Sequence, residues 1–274
     1  MDDKAKADWV FDFSQRCLAE HPVLVVGSGA SAAHSLPTMG QLADYLIEKI
    51  EADGVPADAE DVWARFKEVV FEQGLEQAID EALLWRHEKL YNTLRLLTWE
   101  CVRGPEEIVR SLATADKAHI PLCKLITYLF RSHHRKISIV TTNYDRIPEY
   151  AVDCVDACAW TGFHGSYFGR WLGFSPPLEF WRSNKRVQQN TVEILKVHGS
   201  LDWFMNSAKQ PVRLIGIDKV PVDHSALIVP PSLRKSEEVL MAPLRDILAH
   251  TDYTLSNANG FFASVMALTM NIFR

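Results

Sequence analysis

The sequence predicts an α/β protein: a Rossmann-like parallel sheet with helices on both faces, carrying a helical insertion and cut short at its C-terminal strand. Three observations predict it. Apolar runs stop abruptly at glycine or small polar residues in VLVVGSGAS at 23–31, IVTTNYD at 139–145 and LKVHGSLDW at 195–203, as buried strands do where a parallel sheet presents its ligand-binding loops. Between these runs, apolar residues recur at helical spacing. The 274 residues, 47% of them hydrophobic, suffice to bury one large core around such a sheet.

In chain order, residues 5–19 read as a helix, and Pro22 precedes the first strand, Val23–Val26, with Gly27, Ser28 and Gly29 as its turn. Pro37 and Thr38 introduce a second helix, in which Leu42, Tyr45, Leu46 and Ile50 share a face before Asp53-Gly54 ends it. From about 57 to 134 the pattern stays helical, through Trp63, Phe66, Val69 and Val70, then Ala78, Leu83, Leu84 and Trp85, then Leu94, Leu96 and Leu97. This stretch is expected to be an insertion between the first and second strands, its last helix running from Pro105 to Arg131. The second strand is Ile137–Val140, and a helix after Asp145 is expected to carry Tyr150–Cys158. A loop at about 159–190 is crowded with aromatics, among them Trp160, Phe163, Tyr167, Phe168, Trp171, Phe174, Phe180 and Trp181. Such density is expected to fill core or a subunit contact more than to line a pocket. Val192–Val197 is the next strand, Leu227–Val229 a further one before Pro230-Pro231, and 243–258 a closing helix. With no repeat, low-complexity tract or long linker, residues 1–274 read as one domain.

Composition excludes several classes. A formal charge of -6 gives no global field for nucleic acid or an anionic membrane, so direct nucleic-acid binding is not expected. The N-terminus lacks the layout of a signal peptide, and no apolar stretch approaches the ~20 residues of a membrane span, so a cytoplasmic protein is expected. Cys17, Cys101, Cys123, Cys154 and Cys158 are odd in number and form no CxxC pair. Cys154 and Cys158 could share a helix face near His164, but three scattered candidates fall short of a structural zinc site, and no metal is expected.

The chemistry gathers at the strand ends. Gly27-x-Gly29-x-x-Ala32 fits the dinucleotide pattern in which glycines let a pyrophosphate approach the backbone and a following helix offers free N–H groups. The Gly-Lys-Ser/Thr ending of a P-loop is absent. In Thr141-Thr142-Asn143-Tyr144-Asp145, an amide can hold a ribose hydroxyl or a water while a neighbouring carboxylate fixes the loop; the competing reading is a turn whose Asn143 and Asp145 cap the next helix. His198, followed by Gly199 and Ser200, stands where a catalytic base belongs, although a lone histidine is more often a structural hydrogen-bonding group. A second His-Gly-Ser, at His164–Ser166, has no apolar strand leading into it.

Taken together, GSGAS followed by LPT, then TTNYD, then KVHGSLDW, then IVPPSLRK, in that order, resemble the sirtuin-like family of bacterial antiphage-defence NAD hydrolases over residues 23 to about 260. The resemblance implies that NAD is the substrate, cleaved between nicotinamide and ribose, and that Asn143 and His198 are the catalytic pair. It implies that Gly27, Ser28, Gly29, Ala30 and Ser31 contact the NAD phosphates and ribose, that Asp145 supports the asparagine loop, and that Thr142, Gly199 and Ser200 belong to the same site. Many family members deplete cellular NAD during phage infection, oligomers are frequent, and some members act with a HerA-type ATPase; a homo-oligomer and such an ATPase are the partners the resemblance allows. The four-cysteine zinc module of protein deacetylases is missing, which argues against an acetyl-lysine substrate. After NANGF the family pattern continues as CIGYGFNDEHI, whereas this chain reads FASVMALTMNIFR. Back-translation with codon boundaries moved by two bases can encode the family segment, so a frameshifted or truncated member, with part of the ribose site absent and activity reduced or lost, is the expectation; the apolar tail, Phe261 to Phe273, could still form a replacement strand or a helix. Three other roles stay open on the residues: a noncatalytic NAD or ADP-ribose sensor, a structural subunit of a defence complex, and, more distantly, a dehydrogenase.

Overall fold

A computed structural model describes residues 2–19, 22–131, 135–175, 179–182, 185–231 and 241–264. The elements are α1 (Asp3–Ala19), β1 (Val23–Val26), α2 (Ser28–Ala32), α3 (Met39–Asp53), α4 (Glu60–Gln73), α5 (Leu75–Glu81), α6 (Glu88–Ala115), α7 (Leu122–Leu129), β2 (Lys136–Thr141) and α8 (Ile147–Asp153). There follow β3 (Cys158–Trp160), β4 (Phe163–His164), β5 (Phe168–Trp171), β6 (Glu179–Arg182), β7 (Lys185–Gln188), β8 (Thr191–Lys196), β9 (Gly199–Asn206), β10 (Pro211–Leu214), β11 (His224–Ile228), α9 (Leu244–Ser256) and β12 (Phe261–Ser264). The main sheet has five strands in the order β12-β1-β2-β8-β3, every neighbouring pair parallel. This is a Rossmann-like arrangement flanked by helices.

Successive strand side chains point to opposite faces, and the core divides accordingly. Leu24, Val26, Ile137, Ile139, Val192 and Ile194 pack against α6, α7 and α8 through Val109, Ile126 and Ala151. Val23, Val140 and Leu195 face the other way, onto Leu244 and Ile247 of α9.

The stretch between β1 and β2 is helical, as its spacing predicts. Thr38 starts α3 by accepting a hydrogen bond from the Gln41 backbone N–H while the Gln41 side chain accepts one from the Thr38 N–H. Leu46, Ile50, Trp63, Phe66, Ile79 and Leu94 then build a core cluster separate from the sheet's. Helix α6, with 28 residues and a length of about 42 Å, joins the two clusters: Leu90 and Leu94 lie in the helical one and Trp99 and Val109 in the sheet's.

Several sequence expectations are corrected. No helix begins at Pro105; α6 runs through it to Ala115, and α7 is a separate helix. A single proline removes one backbone donor, and Val102, Glu106 and Val109, all buried, hold the helix on both sides of the interruption. Helix α8 stops at Asp153 and Cys158 opens β3, so Cys154 and Cys158 do not share a helix face. The aromatic stretch at 159–190 contains strands β3 to β7 rather than one loop. Trp160 and Phe163 are buried there, whereas Tyr167 and Phe168 are 71% and 82% exposed; the side chains of Phe180 and Trp181 lie outside the described residues.

A second sheet, antiparallel in the order β11-β9-β10-β5-β4, was not foreseen at β9 and β10. The first six residues of β9 are all buried, and burial on both faces erases the alternation that would announce a strand. Of the two forms open to the apolar tail, its first residues take the strand: β12 occupies the edge beside β1, with Phe261 through Ser264 in register with Val23 through Val26. The remainder of the segment that departs from the family pattern, 265–274, lies outside the described residues. Among the described residues, no helix is long and apolar enough to cross a membrane.

Candidate active site

The register of the parallel sheet brings the three strand ends level. Val26 pairs with Thr141, and Thr141 with Lys196. Ser28, Asn143 and His198 therefore each stand two residues beyond one row, at the C-terminal edge of three adjacent strands. Two bonds lock the row together: the Thr141 hydroxyl donates to the Val26 carbonyl at 2.8 Å, and the Val197 N–H donates to the Thr141 carbonyl at 3.1 Å.

Asn143 is buried, and its partners orient its amide. Nδ2 donates to the Gly27 carbonyl at 2.9 Å and to Ser31 Oγ at 2.6 Å, while Ser31 Oγ donates to Asp145 Oδ2 at 2.5 Å. A carbonyl only accepts, and Ser31 has given its one proton to a carboxylate, so both neighbours require the nitrogen of the amide on their side. Oδ1 is thereby the atom left for a ligand. Asn143 offers an acceptor alone, not the donor and acceptor together that its residue type allows.

Asp145 supports this arrangement from below. Its Oδ1 accepts from the Ile147 N–H at 3.1 Å, which caps α8, and its Oδ2 holds Ser31. One oxygen of this carboxylate thus holds the first N–H of α8 and the other holds the loop after β1. Its main-chain carbonyl accepts from the Lys196 ammonium.

His198 is half-buried at the end of β8. Its carbonyl accepts from the Val229 N–H at 2.9 Å, and the Tyr144 hydroxyl donates to the Val229 carbonyl at 2.6 Å. Val229, beside Pro230-Pro231, thus ties the histidine loop to the asparagine loop. The Tyr144 carbonyl accepts from the Leu201 N–H at 3.0 Å and from the Ser200 hydroxyl at 3.4 Å.

The two loop glycines differ in kind. Gly199 has φ +86°, and a Cβ there would lie 2.0 Å from the Leu227 carbonyl, so the packing of β9 on β11 demands it. Gly27 has φ -102°, open to any residue, and a Cβ would meet nothing within 4 Å. The fold does not require that glycine; the room it leaves at the start of α2 suits a phosphate approaching backbone N–H groups. Ser28 and Thr142 are exposed beside it, and Gly29 and Ala30 are half-buried. Ser31 and Ser200 spend their hydroxyl protons inside the protein and act through the loops.

Sequence reasoning missed a buried charged group under these loops. Lys196 is fully buried, and its ammonium stands 3.4 Å from Glu149 Oε1. Burial pushes the Glu149 carboxyl up to about 7, with Lys196 opposing the shift and Asp202 adding to it. The signal was present as a lysine inside the apolar run Ile194-Leu195-Lys196-Val197. The rival His164 lies on β4 at an edge of the antiparallel sheet, exposed and outside the row. Among the described residues, no group of three or more His, Cys, Asp or Glu side chains could hold a metal ion.

No protein-family model matches this chain, and no curated protein matches it.

Proposed function

We propose that this protein binds NAD at the C-terminal edge of its parallel sheet and hydrolyses the bond between nicotinamide and ribose, releasing nicotinamide and ADP-ribose. The observation that carries this reading is the fixed amide of Asn143: its Nδ2 is committed to Gly27 and Ser31, which leaves its oxygen for a ligand, on the same row as His198. The motif order GSGAS, TTNYD and KVHGSLDW supports it from the sequence.

In the reaction proposed, the pyrophosphate lies against the first turn of α2, over Gly27. The bond between C1′ and the pyridinium nitrogen breaks with its electron pair passing to nicotinamide, which leaves neutral. The sugar becomes oxocarbenium-like, so positioning and exclusion of bulk water matter more than a strong acid. Asn143 Oδ1 accepts a hydrogen bond from the attacking water or from a ribose hydroxyl. Water oxygen bonds to C1′, and His198 takes the proton released. NAD depletion in antiphage defence, within a homo-oligomer and alongside a HerA-type ATPase, is the biological setting that the sequence resemblance supports.

Incubating the purified chain with NAD and resolving nicotinamide, ADP-ribose and cyclic ADP-ribose tests the proposal. Nicotinamide release by wild type, lost in His198→Ala and Asn143→Ala variants that still fold, is expected. Full hydrolysis by either folded variant, or NAD left intact by wild type, would overturn it.

A further inference from the structure

Lys196 has an unusual position for a cation. It ends β8, two residues before His198, and its side chain is fully buried. Its ammonium donates to the main-chain carbonyl of Asp145, two residues after Asn143. One side chain therefore spans from the histidine strand to the asparagine loop.

Stability does not call for a lysine there. A buried ion pair is often no better than an apolar side chain of similar volume, because both ions lose their hydration. Here the compensation is incomplete: Glu149 Oε1 contacts the ammonium at 3.4 Å, yet among the described residues neither Glu149 oxygen has a hydrogen-bond partner, nor does Oδ1 of the buried Asp202. Apolar side chains in place of Lys196 and Glu149 together would fill the same space with no buried charge to match. What the apolar pair would lose is the bond to the Asp145 carbonyl.

That bond matters because of what Asp145 carries. Asp145 holds Ser31, and Ser31 with Gly27 holds the amide of Asn143. We infer that Lys196 is a positioning residue: by fixing the Asp145 backbone it sets the orientation of Asn143 relative to His198, with Glu149 as its buried counter-charge. The kinetic part of this inference rests on the NAD-hydrolase reading; the structural part does not.

The test uses the full chain with Lys196→Met, read by two methods. The N–H groups of Asn143, Arg146 and Ile147 donate to Thr141 Oγ1, Glu106 Oε1 and Asp145 Oδ1, so their hydrogen exchange reports the order of the loop. In the variant their exchange is expected to quicken by at least about 10-fold, with α4 and α5 exchanging as in wild type. For NAD cleavage, kcat is expected to fall about 100-fold with KM within about 3-fold, because a misplaced group costs the chemical step more than binding. Should Lys196→Met not fold, the double variant Lys196→Met with Glu149→Gln, which removes the uncompensated carboxylate together with the bond to Asp145, carries the same comparison. Unchanged loop exchange in a folded Lys196→Met, or in the double variant where that carries the test, overturns the inference, as does unchanged kcat. If wild type cleaves no NAD, the proposed function falls, and the exchange experiment alone decides the role of Lys196.

Discussion

The helical cluster between β1 and β2 and the strand ends of the sheet are built on opposite terms. Trp63 stacks on Phe66 with ring centroids 4.8 Å apart, and the cluster around them is closed by Leu46, Ile50, Ile79 and Leu94. At the strand ends the buried residues include Ser31, Thr141, Asn143, Asp145, Lys196, Ser200 and Asp202. Apolar burial needs only volume and shape, whereas each buried polar group needs a partner in the right direction. The first region contributes stability, and the second accepts a cost in stability to hold a few atoms in fixed orientation.

The largest effects should break the comparison outright. Gly199→Ala is expected to cost at least about 3 kcal/mol, from left-handed backbone strain and the clash with Leu227, read by chemical denaturation. Gly27→Ala, by contrast, should stay within about 0.5 kcal/mol of wild type while raising KM for NAD about 10-fold. Equal losses of stability at the two glycines would refute the distinction drawn between them.

Next in size, Phe66→Ala should remove about 3–5 kcal/mol of stability and leave kcat per folded molecule unchanged. His198→Ala should do the reverse, lowering nicotinamide release by roughly 100- to 10,000-fold with a small change in unfolding midpoint. Urea titrations paired with product assays separate the two outcomes.

Glu149 sharpens the comparison through pH. Its carboxyl titrates at about 7 in the folded protein against an ordinary 4.5. Because the folded value is raised, the contribution is fully present below the unfolded value and is lost as pH rises through 7. At about 1.4 kcal/mol per unit this amounts to about 3 kcal/mol. Wild type should lose that much relative to Glu149→Gln between about pH 4.5 and pH 8, and parallel stability curves for the two proteins would remove Glu149 from the account.

Smallest is Tyr144→Phe, which removes the 2.6 Å bond to Val229 and should cost about 1 kcal/mol. Differential scanning calorimetry checks the cost, and a fall in kcat larger than the change in stability would mean that the tie between the two loops serves catalysis.

How much of this was legible before folding depends on the range of each signal. The strands Val23–Val26 and Val192–Val197 and the helix from Met39 announce themselves within a few residues, through apolar runs, spacing and the Thr38–Gln41 cap. The break at Pro105 and the eight buried or half-buried positions of β9 misled for the same reason: local pattern was overruled by what packs on both sides. Asn143 and His198 could be named from their strand ends, but the supporting roles of Ser31, Ser200, Tyr144 and Lys196 could not, since nothing local distinguishes a hydroxyl or ammonium that points inward.

The sequence by itself determined the α/β class, the strand ends and the residue types that meet there, because side-chain periodicity and turn chemistry act over a few residues. Only the tertiary structure decided that Asn143 presents its oxygen, that Gly27 is free of the fold's demands while Gly199 is not, and that Lys196 reaches Asp145. Each of these depends on partners far away in the chain: Gly27 and Ser31 lie more than a hundred residues from Asn143, and they become neighbours only when β1 and β2 pair side by side.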